Sequence, residues 1–139
     1  MKIDAYLTFD GQCEAAFKFY ADCLNGSVDL MRFGDRPEAA NVPEQFHSRI
    51  IHACLTRGDQ VLMACDTLPG TPYSGIKGCA ISLQVKNLPE AERLFEALSA
   101  QGSVEMPLQP TFWATSSAVL TDRFGVTWRI ICNIDAQMG

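Results

Sequence analysis

Several things are missing from this sequence, and each absence removes a class of protein. Basic residues are few: 11 Lys and Arg against 16 Asp and Glu leave a net charge of −5. They are scattered singly, so there is no basic face for nucleic acid and no cationic stripe for an anionic membrane surface. No apolar run is long enough to span a bilayer. The opening residues, Met1 to Thr8, lack the apolar core of a signal peptide, so a cytoplasmic location is expected. No Gly-rich loop follows a strand in a βαβ unit, which leaves no motif for a methyl donor. The six cysteines show no CxxC spacing and sit inside apolar runs. They are expected to be buried, reduced thiols. No Ser-His-Asp or Cys-His arrangement can be established from spacing, because such sets are assembled in space.

What is present is a duplication. Phe9 to Met31 recurs, without a gap, as Val85 to Pro107, 76 positions later. Glu14 meets Glu90, Phe19 meets Phe95, and Gly26-Ser27-Val28 meets Gly102-Ser103-Val104. A period of this size in 139 residues means two copies of one supersecondary unit. With 47% hydrophobic residues there is enough apolar material for a core. One domain is expected, made of modules 1–67 and 78–139 joined by a Pro- and Gly-rich linker at 68–77.

Within each copy the hydrophobic period changes from two to 3.6 and back. Lys2 to Asp10 alternates, with Ile3, Leu7 and Phe9 opposite Asp4, Tyr6 and Thr8. Gly11 to Leu24 reads as a helix with Ala16, Phe19, Tyr20 and Cys23 on its stripe, and Gly26 suits its left-handed C-terminal position. Ser27 to Phe33 is a strand. A polar loop from Gly34 to His47 follows, and then a hairpin, Arg49 to Thr56 and Gln60 to Asp66. In the second copy Cys79 to Val85 alternates, and Asn87-Leu-Pro-Glu90 is a capping box that opens a helix to Ala100. Val104 to Leu108 is a strand, Gln109-Pro110 a short loop, and Phe112 to Thr121 with Gly125 to Asn133 the last hairpin. The late hairpins match at an offset of 65, pairing Ala53 with Ala118 and Val61 with Val126. Each half therefore reads β-α-β-β-β.

Two such modules, with the motifs Tyr6-Leu-Thr-Phe-Asp-Gly11, Glu14-Ala15, His52-Ala53, Val61-Leu-Met-Ala64, Met106-Pro-Leu-Gln109, Phe112-Trp113 and Leu120-Thr-Asp-Arg-Phe-Gly-Val-Thr-Trp128, resemble the vicinal oxygen chelate superfamily, and within it the PhnB-like branch. The resemblance implies an α+β fold in which curved mixed sheets surround a concave cup, the glyoxalase/bleomycin-resistance fold. It also implies pairing into homodimers. Metal-using members carry ligands on the first and last strands of each module, which map here onto Asp4, Ala64, Ala80 and Arg129. Of these only Asp4 can bind a divalent cation, and Arg129 would repel one, so no metal or other cofactor is expected.

If helices cover one face of each sheet, alternation assigns the other face to the cup. That face is expected to hold Tyr6 and Thr8, then His52, Cys54 and Thr56, with Leu62 and Ala64 from the fourth strand. From the second module come Ser82, Trp113, Ser117, Thr127, Arg129 and Ile131. The ligand-binding set is thus Tyr6, Thr8, His52, Ser82, Trp113, Ser117 and Arg129. His52 is the candidate catalytic residue, because imidazole titrates near neutrality. His47 is read as solvated at the loop edge. The function expected is metal-free binding of a small organic molecule. The alternative is a lyase, dioxygenase or transferase of the same superfamily, using His52 or a divalent metal.

Overall fold

A computed structural model describes residues 1–37, 41–68 and 70–133. The chain divides into two compact units, Met1–Ile76 and Lys77–Gly139. In the first, β1 (Ala5–Phe9) leads into α1 (Cys13–Leu24), β2 (Ser27–Arg32), β3 (Ile50–Arg57) and β4 (Gln60–Asp66). In the second, β5 (Ile81–Val85), α2 (Leu88–Ser99), β6 (Ser103–Thr111), β7 (Ala114–Thr121) and β8 (Thr127–Cys132) repeat that order. Each unit forms one four-stranded mixed sheet, β1-β4-β3-β2 and β5-β8-β7-β6, with the first pair parallel and the rest antiparallel. The fold is α+β, two βαβββ modules.

One face of the first sheet carries Leu7, Phe9, Ala53, Leu55, Leu62 and Ala64, all buried. Helix α1 packs over it with Cys13, Ala16, Phe17, Tyr20 and Cys23. Phe9 and Phe17 meet edge to face, with ring centroids 6.4 Å apart. The buried stripe therefore runs through Phe17, and Phe19, expected on it, is only half-buried. In the second unit Ala91, Leu94 and Leu98 of α2 cover Leu120, Trp128 and Ile130.

The two helices start differently. The Asn87 side chain accepts from the Glu90 N–H at 2.9 Å and Pro89 lies in the first turn, as the sequence pattern predicts. Helix α1 has no such local cap. Its first N–H groups are met by Asp66, at the end of β4. One carboxylate oxygen accepts from the backbone of Gly11 (2.8 Å) and Cys13 (3.0 Å), the other from Ile50 (2.9 Å). Asp66 is 2% exposed. A carboxylate at a helix N-terminus is also favoured by the helix dipole.

The helices end alike. Asn25 and Gln101, 76 apart, take positive φ (56° and 63°), not the glycines that follow them. Gly26 and Gly102 are needed for a different reason. A Cβ on Gly26 would lie 2.9 Å from the Thr56 carbonyl oxygen, and one on Gly102 2.3 Å from that of Thr121. These glycines let β2 and β6 leave the helix hard against the neighbouring strand.

The structure moves several expected boundaries. Strand β6 runs on to Thr111, with Pro107 and Pro110 inside it, interrupted by irregular register. An edge strand tolerates proline, because its outward N–H groups have no partner to lose. The connection to β7 is the turn at Phe112-Trp113, so Trp113 is not a strand residue. Part of the Gly34–His47 loop is ordered as short 3-10 turns at Phe33–Asp35 and Glu44–Phe46. His47 there is half-buried, with Nε2 2.9 Å from the Val42 carbonyl, and not solvated as expected. Residues 38–40 of that loop and Pro69 of the expected linker lie outside the described residues.

The last strand is shifted by one. Thr56 pairs with Val61, and Thr121 with Thr127, so Val61 corresponds to Thr127 and not to Val126. The turn after β7 is one residue longer than the one after β3. Asp122 builds it: one carboxylate oxygen accepts from the N–H groups of Phe124 and Val126, the other from the Trp128 indole at 2.8 Å. The motif around Asp122 and Trp128 is thus a structural turn. A shift of one residue turns a strand over. Leu62 and Ala64 lie under α1, and the helix-free face takes Val61, Met63 and Cys65 instead.

Candidate functional site

The helix-free face of the first sheet can be read row by row from the strand register. Met31 on β2 pairs with His52 on β3. Cys54 pairs with Met63, Met63 with Tyr6, and Cys65 with Thr8. Ala53 and Ala64 pair across β3 and β4, so His52 before one and Cys65 after the other face the same side on neighbouring strands. The face is therefore built of an aromatic ring, an imidazole, two thiols and two thioethers. None of this surface is covered by α1.

At its centre the Tyr6 hydroxyl lies 3.0 Å from His52 Nδ1, with the rings tilted and their centroids 5.8 Å apart. Cys65 lies on the same face, diagonal to Tyr6 across the parallel β1–β4 pair. Partial burial first, and then Cys65, raise the Tyr6 phenol above its ordinary value. At neutral pH it holds its proton and can donate it. Tyr6 is still 49% exposed, so its ring edge is open to a ligand. Thr8, further along β1, is exposed, and its backbone carbonyl accepts from the Tyr73 hydroxyl at 3.1 Å.

On the second sheet Ser82 pairs with Arg129 and Val119 with Arg129 from the other side. Both Ser82 and Arg129 are exposed. Thr121 and Thr127 join hydroxyls at 3.1 Å, and Thr121 donates to Glu105. Ser117 is only 3% exposed, and its hydroxyl donates to Thr111 at 3.4 Å, so it presents little to a ligand. Trp113 stands in the turn beside Phe112, edge to face at 4.7 Å. Residues Tyr6, Thr8 and His52 belong to one unit, and Ser82, Trp113, Ser117 and Arg129 to the other.

The cysteines depart from expectation. All six are free, and Cys13, Cys23 and Cys132 are buried. Cys54 and Cys65 are half-buried, and Cys79 is exposed. Burial pushes the Cys13 and Cys132 thiols up, with Asp66 adding to the effect at Cys13, so both stay protonated. Cys65 faces the helix-free side, where the sequence expectation sets Leu62 and Ala64 of the same strand and turns Cys65 away. The signal for it was the length of the turn after Thr121, one residue more than after Thr56.

The mapped metal positions do not supply a donor set. Asp4 precedes β1, and its carboxylate lies 3.7 Å from Lys2 Nζ. Ala64 is wholly buried on the helix side, Ala80 has no donor, and Arg129 is a fixed cation. Among the described residues no three His, Cys, Asp or Glu side chains converge as a metal would need. No described helix is long and apolar enough to cross a membrane.

Two mixed sheets of this order, each with a helix on one face, define a family. The chain belongs to the Glyoxalase/Bleomycin resistance protein/Dioxygenase superfamily, whose sequence profile matches residues 2–130. It is 33% identical to Protein YjdN of Escherichia coli (strain K12), over 94% of each chain. It is 49% identical to the crystal structure of protein PA1353 from Pseudomonas aeruginosa, with a TM-score of 0.89 over 96% of this chain and 98% of that one. A PhnB protein from Bacillus cereus, described as a putative 3-demethylubiquinone-9 3-methyltransferase, shares the fold at 22% identity and a TM-score of 0.78, covering 95% and 99%.

Proposed function

We propose that this protein is a metal-independent binder of a small organic molecule, seated on the helix-free face of the first sheet. The observation that carries the reading is the Tyr6–His52 contact at 3.0 Å on a half-exposed sheet surface. It fixes a polar pair in a wall that is otherwise aromatic and sulfur-bearing, the composition of a small-molecule site. Thr8 adds a hydroxyl to that face. On the second sheet, taken by itself, Ser82 and Arg129 are exposed neighbours, and a guanidinium there suits an anionic group such as a carboxylate or phosphate. Trp113 contributes an exposed ring, and Ser117 supports Thr111. The reading includes a cytoplasmic homodimer: each sheet has unclosed edges, β1 and β2 in the first, that a second copy would cover. The same Tyr6–His52 contact favours one second reading, in which His52 serves as a general base and the ligand is consumed.

A thermal-shift screen of small aromatic and anionic compounds, run in EDTA, tests the binder. A ligand at 100 times its Kd adds about 2.7 kcal/mol of stability. Tyr6→Phe and His52→Ala should each remove most of the shift. A shift that appears only when a divalent metal is added, or hits that ignore both substitutions, would refute the proposal.

A further inference from the structure

The first sheet places a nucleophile, a hydroxyl and an imidazole in sequence. Cys65 on β4, Tyr6 on β1 and His52 on β3 come from three neighbouring strands and share one helix-free face. The Tyr6 hydroxyl lies 3.0 Å from His52 Nδ1, and the register sets Cys65 opposite His52 on the neighbouring strand. Tyr6 and Cys65 are diagonal neighbours across the parallel pair, since Tyr6 pairs with Met63, two residues before Cys65. A tyrosine side chain spans that diagonal. Cys65 is also half-buried, whereas the inert thiols Cys13, Cys23 and Cys132 are closed off.

We propose that Cys65 is a nucleophilic thiol that captures soft electrophilic ligands covalently, with Tyr6 relaying its proton to His52. The ligand class is an activated alkene conjugated to a carbonyl, such as an enone or a quinone. Soft sulfur prefers soft carbon, and the surrounding Met31, Met63 and Tyr6 side chains suit an apolar, polarisable partner. The step balances without an oxidant or a metal. The Cys65 proton passes to the Tyr6 oxygen as Tyr6 gives its own proton to His52 Nδ1. The thiolate sulfur then forms a bond to the β-carbon of the alkene, the C=C π bond breaks, and its electrons move to the carbonyl oxygen as an enolate. The proton held on His52 returns to the α-carbon, which regenerates the neutral pair and leaves a thioether. The raised Tyr6 phenol agrees with this, because the relay needs a hydroxyl that starts protonated. Cys65 is the reacting group, and Tyr6 and His52 are positioning residues that act through it. The inference deepens the binding reading and rests on the same face being open to ligand.

The protein carries its own controls. Cys79 is exposed but belongs to the other unit, and Cys54 shares the face with Cys65 but pairs with the Thr56 hydroxyl, at 3.9 Å. The experiment treats the full chain with limiting N-ethylmaleimide and follows each cysteine by peptide mass spectrometry. Cys65 should react faster than the more exposed Cys79. Tyr6→Phe, which keeps the ring, should slow Cys65 by about tenfold or more, the scale of general-base assistance, and leave the rates of Cys54 and Cys79 unchanged. His52→Gly should do the same, and free imidazole should restore the Cys65 rate, which a purely structural role for His52 would not allow. A Cys65 rate at or below that of Cys79, or one that Tyr6→Phe does not alter, would overturn the proposal. Cys65→Ser separates it from the binding reading: if non-electrophilic ligands still shift the melting temperature of that variant, reversible binding stands whatever the maleimide rates show.

Discussion

Removing the Asp66 carboxylate should cost this fold more than any exposed substitution. In Asp66→Ala three backbone N–H groups lose their acceptor at once, those of Gly11, Cys13 and Ile50. Gly11 is exposed, so water can take over its N–H. Cys13 and Ile50 are wholly buried, and their N–H groups have no such recourse. A buried donor left unsatisfied costs about 1–3 kcal/mol, and a hydrogen bond to a charged acceptor contributes about 1.5–3 kcal/mol. The three bonds share one carboxylate, which also gives back its own burial cost, so they do not simply add. The expected loss is about 3–5 kcal/mol, a large part of the total for a domain of this kind. Asp66→Asn keeps one acceptor but turns an amide N–H₂ towards a donor, and should lose about 2 kcal/mol. Urea unfolding followed by far-UV circular dichroism measures both. With a slope of about 2 kcal/mol per molar, the alanine midpoint should fall by about 2 M. Amide exchange at Cys13 and Ile50 should accelerate with it. A loss below about 1 kcal/mol would refute the reasoning, because it would mean that those N–H groups have another partner. The counterpart of Asp66 in the second unit is Cys132, where Asn87 provides the helix cap, so Cys132→Ala should cost far less.

Two further outcomes follow from the geometry. Gly102→Ala should lower the melting temperature more than Gly26→Ala, because the added Cβ would meet a carbonyl oxygen at 2.3 Å in the first case and 2.9 Å in the second; equal effects would mean that the Thr121 backbone yields without cost. Arg49 and Thr67 hold the Asp10 carboxyl below its ordinary range, and Lys18 with Arg32 does the same for Glu14. A depressed folded-state pKa contributes stability above the unfolded value, near pH 4, and that contribution is lost as pH falls through the folded value. Arg49→Met should therefore flatten the acid side of the melting-temperature profile between about pH 5 and pH 2, and an unchanged profile would show the contact to be unimportant.

How much of this was legible in the residues varies from element to element. The period-two alternation around Leu7 and Phe9 and the Asn87 cap are local signals, and both appear in the structure, although β1 starts at Ala5 and not at Lys2, and Ile3, expected on the buried face, is exposed. The stripe on α1 differs from expectation at one member, Phe17 in place of Phe19, because two aromatics stand two residues apart and only packing against Phe9 distinguishes them. Strand β4 was harder. From Val61 to Cys65 every residue is apolar, so alternation carries no sign of which side faces the helix.

By itself the sequence determined the duplication, the order of elements in each copy and the family, because repeat and period are properties of the chain read in one dimension. Only the tertiary structure decided which face of β4 is open and what caps α1. The side on which Cys65 lies depends on the register across β3 and β4, and Asp66 meets Gly11 and Cys13 from more than fifty residues away. Both are long-range contacts, and a contact between distant residues leaves no mark on the local pattern of either.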